Sequence, residues 1–107
     1  MSAATRVALA TLVTLAWCAG CVSARAAGDR AFGEYLSAEC VTCHRVSGHS
    51  QGIPSIAGLP PATFVDLLTQ YQRKQRANPI MQTIAARLSD DEMAALAAYF
   101  ASLPGQR

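Results

Sequence analysis

Charge is scarce in this chain: only 15% of its 107 residues are charged, with nine basic against seven acidic. Even that small excess is confined to one end. Arg6 and Arg25 supply it, and residues 27–107 balance seven basic side chains (Arg30, Arg45, Arg73, Lys74, Arg76, Arg87, Arg107) against seven acids (Asp29, Glu34, Glu39, Asp66, Asp90, Asp91, Glu92). A balanced domain has no basic face to neutralise phosphates, which argues against nucleic acid as a partner. Long apolar runs are also lacking. The best, Val7 to Trp17, is about 11 residues and is broken by Thr11 and Thr14, whereas a membrane-spanning helix needs about 20. No strand-type alternation, internal repeat or low-complexity tract is present, so β and solenoid architectures are set aside. The length allows one small domain.

The short apolar run has a different use. It follows a polar start and Arg6, and it leads to small residues ending in Ala24-Arg25-Ala26, an A-x-A cleavage pattern. Residues 1–26 therefore read as a secretory signal peptide cleaved after Ala26, leaving 27–107 as an exported, periplasmic domain with no membrane span. Ala19-Gly20-Cys21 offers a second reading, a lipoprotein signal with Cys21 lipidated, although Cys18 stands where such signals usually carry leucine. A retained N-terminal anchor is the third.

The exported part is all-helical by pattern. A first helix is expected over about Asp29 to Glu39, with Phe32 and Leu36 on its apolar side, Tyr35 at the margin and a gap at Gly33. A second starts at Pro61, a residue suited to a first helical turn. Phe64, Leu67, Leu68 and Tyr71 then recur at the spacing of one buried face, and Arg73, Lys74 and Arg76 suit the negative end of the helix dipole. A short third helix is expected from Met81 to Arg87. The fourth opens on Ser89-Asp90-Asp91-Glu92, a capping box, buries Met93, Leu96, Ala97 and Phe100 with Tyr99 beside them, and stops at Pro104-Gly105. Loops at about Ser47–Pro60 and Ala77–Ile80 are long for a domain of this size and need something to pack on. A core of about 81 residues is marginal alone, and a large apolar cofactor would relieve it.

Cys40-Val41-Thr42-Cys43-His44 supplies that cofactor. It is C-x-x-C-H, the attachment signature of c-type haem. Positions i, i+3 and i+4 share one face of a helical turn, so two cysteines three apart reach the two vinyl groups of one porphyrin and the adjacent histidine points at the iron. A thioredoxin-like motif would need a βαβ setting, a disulfide would leave His44 unexplained, and zinc would need a fourth ligand. Cys18-Ala19-Gly20-Cys21 is followed by Val22 and lies in the leader. For a second axial ligand the candidates are Met81, Met93 and His49. Met93 falls on a helix face where core packing is the simpler account. His49 follows His44 too closely and is expected at the surface. Met81, read as a loop residue after Asn78-Pro79-Ile80, is the favoured sixth ligand.

With these residues in place, the stretch from Gly28 to Leu103 resembles class I cytochromes c, and among them cytochrome c4 and the cytochrome subunit of flavocytochrome c sulfide dehydrogenase. The likeness is carried by Gly28-Asp29 with Gly33, the C-x-x-C-H, Pro54-Ser55-Ile56-Ala57-Gly58, Arg76-Ala-Asn-Pro-Ile-Met81, Leu88-Ser-Asp-Asp-Glu and Ala97-Ala-Tyr-Phe-Ala-Ser-Leu103. It implies about four helices wrapped around one covalent haem. It also implies that the Pro54 carbonyl accepts from His44 Nδ1–H, that Gly33 lets the first helix cross the last near Leu96 and Tyr99, that Met81 binds the iron, and that Arg76 lies near the haem edge. Many of these relatives carry two such domains; this chain has one motif and resembles a single-domain form.

The expected function is single-electron transfer, since iron bound by both His and Met has no site open to a substrate. The expected role is a haem subunit taking electrons from a sulfide-oxidising flavoprotein, with the apolar loop from Gly52 to Pro61 as docking surface. The alternative is a free periplasmic carrier serving an oxidase or reductase. A haem enzyme or sensor with open iron is the rival from another class, separated by carbon monoxide binding.

Overall fold

The computed structural model describes residues 28–46 and 51–105. The leader, with Cys18, Cys21 and the cleavage site, and His49 lie outside the described residues. Five helices follow in order: α1 (Arg30–Leu36), α2 (Ala38–Val41), α3 (Pro61–Gln72), α4 (Pro79–Ala86) and α5 (Asp90–Ser102). No strand occurs among the described residues, in agreement with the all-α expectation.

The expected first helix is two short ones. Ser37 breaks it: its hydroxyl donates to the Glu34 carbonyl at 2.6 Å, and its amide reaches the carbonyls of Gly33 and Glu34. The Glu34 carbonyl is the acceptor that the Ala38 amide would take in a continuous helix, so the ladder is interrupted there. The buried face also differs from the periodicity reading. Gly33 and Ser37 are buried and Leu36 is half-buried, whereas Phe32 is 40% and Tyr35 78% exposed. The inward stripe is Gly33, Leu36, Ser37 and Cys40, the i, i+3, i+4, i+7 set of a helix face. The large aromatics lie one position off it. The reason is the close crossing of α1 over α5: a Cβ built on Gly33 would overlap the Ala95 carbonyl, and one on Gly28 would overlap Ala94. Small residues are needed at such a crossing. It falls at Ala95–Leu96 rather than at Tyr99.

α5 is buried on two sides and organises the rest. Ala95 meets α1, while Met93, Leu96, Ala97 and Phe100 join Phe64 and Leu68 of α3 and Ala85 of α4 in one apolar cluster. Phe64 and Phe100 stack with ring centroids 5.5 Å apart. The capping box forms as read: Ser89 Oγ accepts from the Glu92 amide at 3.2 Å, and the Glu92 carboxylate accepts from the Ser89 amide at 2.8 Å. At the other end the Gly58 amide donates to the Phe100 carbonyl at 2.8 Å, which draws the 52–60 loop onto the core.

Two further boundaries differ from expectation. α3 ends at Gln72, before the basic residues, in a Schellman motif. The Gln75 amide bonds the Gln70 carbonyl, the Lys74 amide bonds Tyr71, and Lys74 takes the left-handed conformation with φ 57°. α4 begins at Pro79, two residues earlier than expected, because Asn78 caps it by accepting from the Met81 amide at 3.0 Å. Asparagine at the cap followed by proline at the first helical position is a helix start, so Met81 lies in a helix and not in a loop.

The α1–α5 crossing yields a prediction. Gly33→Ala is expected to destabilise the purified holoprotein by about 3 kcal/mol or more in chemical denaturation, because the new methyl meets backbone that cannot rotate away. Gly52→Ala, with φ 90° and nothing within 4 Å of the new Cβ, should lose only about 1 kcal/mol from conformation. Equal losses at the two sites would contradict the crossing.

Candidate functional site

Residues of α2, α3 and α4 and the 52–59 loop enclose a cleft of about 370 Å³, within the ~300–1,000 Å³ range of small-molecule sites. Its walls are mostly aliphatic and aromatic. Ile53, Ile56 and Leu59 come from the loop, Phe64, Leu67, Leu68 and Tyr71 from α3, Ile80 and Ile84 from α4, and Leu88 and Leu96 close the base.

Cys40, Cys43 and His44 all line this cleft. The turn beginning in α2 continues past its end: the Cys43 amide reaches the Cys40 carbonyl at 3.2 Å and the His44 amide reaches it at 2.8 Å. One turn of helix thus brings i, i+3 and i+4 to a common wall. His44 Nδ1 lies 2.7 Å from the Pro54 carbonyl. A carbonyl only accepts, so Nδ1 carries the proton, and in the neutral imidazole Nε2 is the acceptor nitrogen. The two cysteines are not bonded to each other. Burial pushes the Cys40 thiol up from its ordinary pKa, and the neighbouring Glu39 carboxylate adds to this. Among the described residues no three of His, Cys, Asp and Glu come together as a metal cage.

Met81 lines the cleft from α4. Met93 does not line it; it is 1% exposed within the apolar cluster. Arg76 and Asn78 stand at the cleft beside Met81, and the Arg76 guanidinium lies over the Tyr71 ring, 5.4 Å from its centroid. Of the loop residues, Ile56 and Leu59 pack on the core cluster, whereas Ile53 and Pro54 lie exposed at the cleft mouth.

The donor set fits a covalently held macrocycle. Two thiols and an imidazole with a free Nε2 share one wall, a thioether side chain belongs to another, and the surfaces between are apolar. Several residues that build this site were not evident in the sequence. Glu39 lines the cleft and forms an exposed ion pair with Arg87 at 3.5 Å. The Gln72 amide donates to the carbonyls of Ala85 and Leu88, both at 2.8 Å, and the Gln82 amide donates to the Arg76 carbonyl at 2.8 Å. Polar side chains reaching backbone across a fold leave no periodic signal. Asn78 did leave one, the cap-plus-proline pair.

A family model described as cytochrome c matches residues 26–104. Cytochrome c-554(548) of Halomonas halodenitrificans is 35% identical over 83 residues, which is 71% of this chain and 98% of that protein. The cytochrome subunit of sulfide dehydrogenase of Chlorobaculum tepidum is 33% identical over 72 residues, 66% of each chain. The thiosulfate dehydrogenase electron acceptor of Stutzerimonas stutzeri (strain A1501) is 40% identical over 68 residues, 61% of this chain and 32% of that protein. The chain thus spans about a third of the length of that last relative.

Proposed function

The chain belongs to the cytochrome c family, whose members are electron carriers on covalently bound haem c and not enzymes, and from that membership we propose how this chain does it. One haem is held by thioether bonds from Cys40 and Cys43, His44 and Met81 are its axial ligands, and the exported domain passes single electrons in the periplasm. The observation that carries this reading is the shared cleft: the three motif residues and Met81 face the same apolar space.

Haem c supplies one-electron Fe(III)/Fe(II) chemistry, and thioether ligation favours the reduced state. The chain's own residues do the rest. The Pro54 carbonyl fixes the ring orientation and tautomer of His44 and raises the basicity of Nε2, as a partner on the second ring nitrogen generally does. Phe64, Leu68 and Leu96 exclude water and keep the surroundings of low polarity, which limits reorganisation when charge changes. Arg76, held over Tyr71, places a positive charge at the cleft, where it favours the electron-rich state of the site.

For the partner, we propose a sulfide-oxidising flavoprotein, with this chain as its haem subunit. The likeness to a protein named as the cytochrome subunit of sulfide dehydrogenase supports it. So does the charge balance of residues 27–107, which gives little long-range steering, together with Ile53 and Pro54 exposed at the mouth as apolar contact surface. A second reading is a free carrier, favoured by the likeness to a protein named as a thiosulfate dehydrogenase electron acceptor.

Two experiments follow. Acid–acetone treatment should leave the colour on the protein. The oxidised protein should show the weak near-infrared band of thioether-to-iron charge transfer; Met81→Ala should lose it and gain carbon monoxide binding, while Met93→Leu keeps it as a volume-conserving core change. The opposite pattern would assign the ligand to Met93, and colour in the organic layer would end the c-type assignment.

For the partner, co-expression with a candidate sulfide-oxidising flavoprotein should give co-elution of haem and flavin at moderate salt. Sulfide should then reduce the haem only when the flavoprotein is present. A lone monomer, reduced instead by a thiosulfate-oxidising enzyme, would favour the free-carrier reading.

A further inference from the structure

Met81 rides on α4, which has a single helix neighbour. It packs on α3 and, among the described residues, on no other helix. Its other side is the cleft. The Arg87–Glu39 pair links its end to α2, but at 3.5 Å and with both side chains largely exposed that pair contributes little.

Besides the burial of Ala85 in the apolar cluster, polar side chains hold α4 at each end. At the N-terminal end Asn78 accepts from the Met81 amide and the Gln82 side chain donates to the Arg76 carbonyl. These close the segment on itself and do not tie it to the core. At the C-terminal end the tie is to α3. Gln72, the last residue of α3, is half-buried, and its amide nitrogen donates to both the Ala85 and Leu88 carbonyls at 2.8 Å. One carboxamide NH2 has two hydrogens, and both are used. Carbonyls at a helix end lack regular intrahelical partners; the Ala85 carbonyl also accepts from the Leu88 amide at 3.2 Å, and Gln72 adds the side-chain donor that joins this end of α4 to α3.

We propose that Gln72 is a positioning residue for the axial methionine. By fixing the height of α4 along α3 it sets where the Met81 thioether stands in the cleft. The inference rests on Met81 being the sixth ligand. Loss of the clamp should loosen α4 and leave the α1–α5–α3 core folded, because Gln72 is not a member of the apolar cluster. Opening of the α4 segment then becomes a local event below global unfolding.

Gln72→Met removes both hydrogens and keeps the side-chain volume. In the oxidised holoprotein, the near-infrared band should disappear at a lower denaturant concentration than helical circular dichroism. Wild type should lose the two together. Added imidazole, which competes with the sixth ligand, should bind the variant at least about tenfold more tightly, the ratio that corresponds to about 1.4 kcal/mol. Gln70→Ala, which removes an amide bonded to Asp66 on the same helix, should leave imidazole affinity unchanged. If Gln72→Met yields no folded holoprotein, Gln72→Asn, which keeps the amide but shortens its reach, is read in the same way. Coincident loss of band and helix in the variant, with wild-type imidazole affinity, would overturn the inference and leave Met81 as ligand. A wild-type protein without the band would overturn the ligand assignment itself and the inference with it.

Discussion

The contact on which the arrangement depends is that of Gly33 with the Ala95 backbone. Two helices can approach this closely only where one has no side chain, and α1 crosses α5 at that point. The crossing sets the direction of the chain into α2, and so the orientation of Cys40, Cys43 and His44. On its other face α5 holds α3 through Phe64 and Phe100, and α3 in turn holds α4. The residues on the two sides of the cleft are thus connected through α5 and α3, and α2 and α4 do not pack on each other.

This layout divides the work between apolar and polar forces. Burial around Phe100, Met93 and Leu96 supplies the non-directional part. Register comes from hydrogen bonds that reach backbone from side chains: Ser37 to Glu34, His44 to Pro54, Gln72 to Ala85 and Leu88, Gln82 to Arg76. Each acts where a helix ends or a loop begins, the places where backbone groups lack regular partners. In so small a domain few side chains are left to do this, and several of those that do lie next to a residue that lines the cleft.

The cleft itself is asymmetric in its support. Of the helices, α2 packs on α1 alone and α4 on α3 alone, and the wall carrying the C-x-x-C-H turn has a further tie to the 52–59 loop through His44 and Pro54. The wall carrying Met81 is tied to one helix. An electron carrier gains from a rigid cofactor environment, since movement of ligands on oxidation or reduction adds to the barrier. The stiffness of the methionine side therefore depends on few interactions, and Gln72 stands among them.

The helical class, the C-x-x-C-H turn, the α5 capping box and the core face of α5 are legible in the sequence, because each is a local pattern. A turn of helix brings i, i+3 and i+4 together whatever surrounds it, and Ser89 with Glu92 needs no distant partner. Tertiary structure decided the rest. Periodicity placed Phe32 inside, but the close crossing at Gly33 turned the small-residue stripe inward and left the aromatics exposed. Asn78-Pro79 is a legible helix start, and it puts Met81 on α4 where the composition of the segment suggests a loop. The roles of Gln72 and Gln82 had no local signal at all, since a side chain that bonds a carbonyl thirteen residues away obeys only the packing that brings the two together.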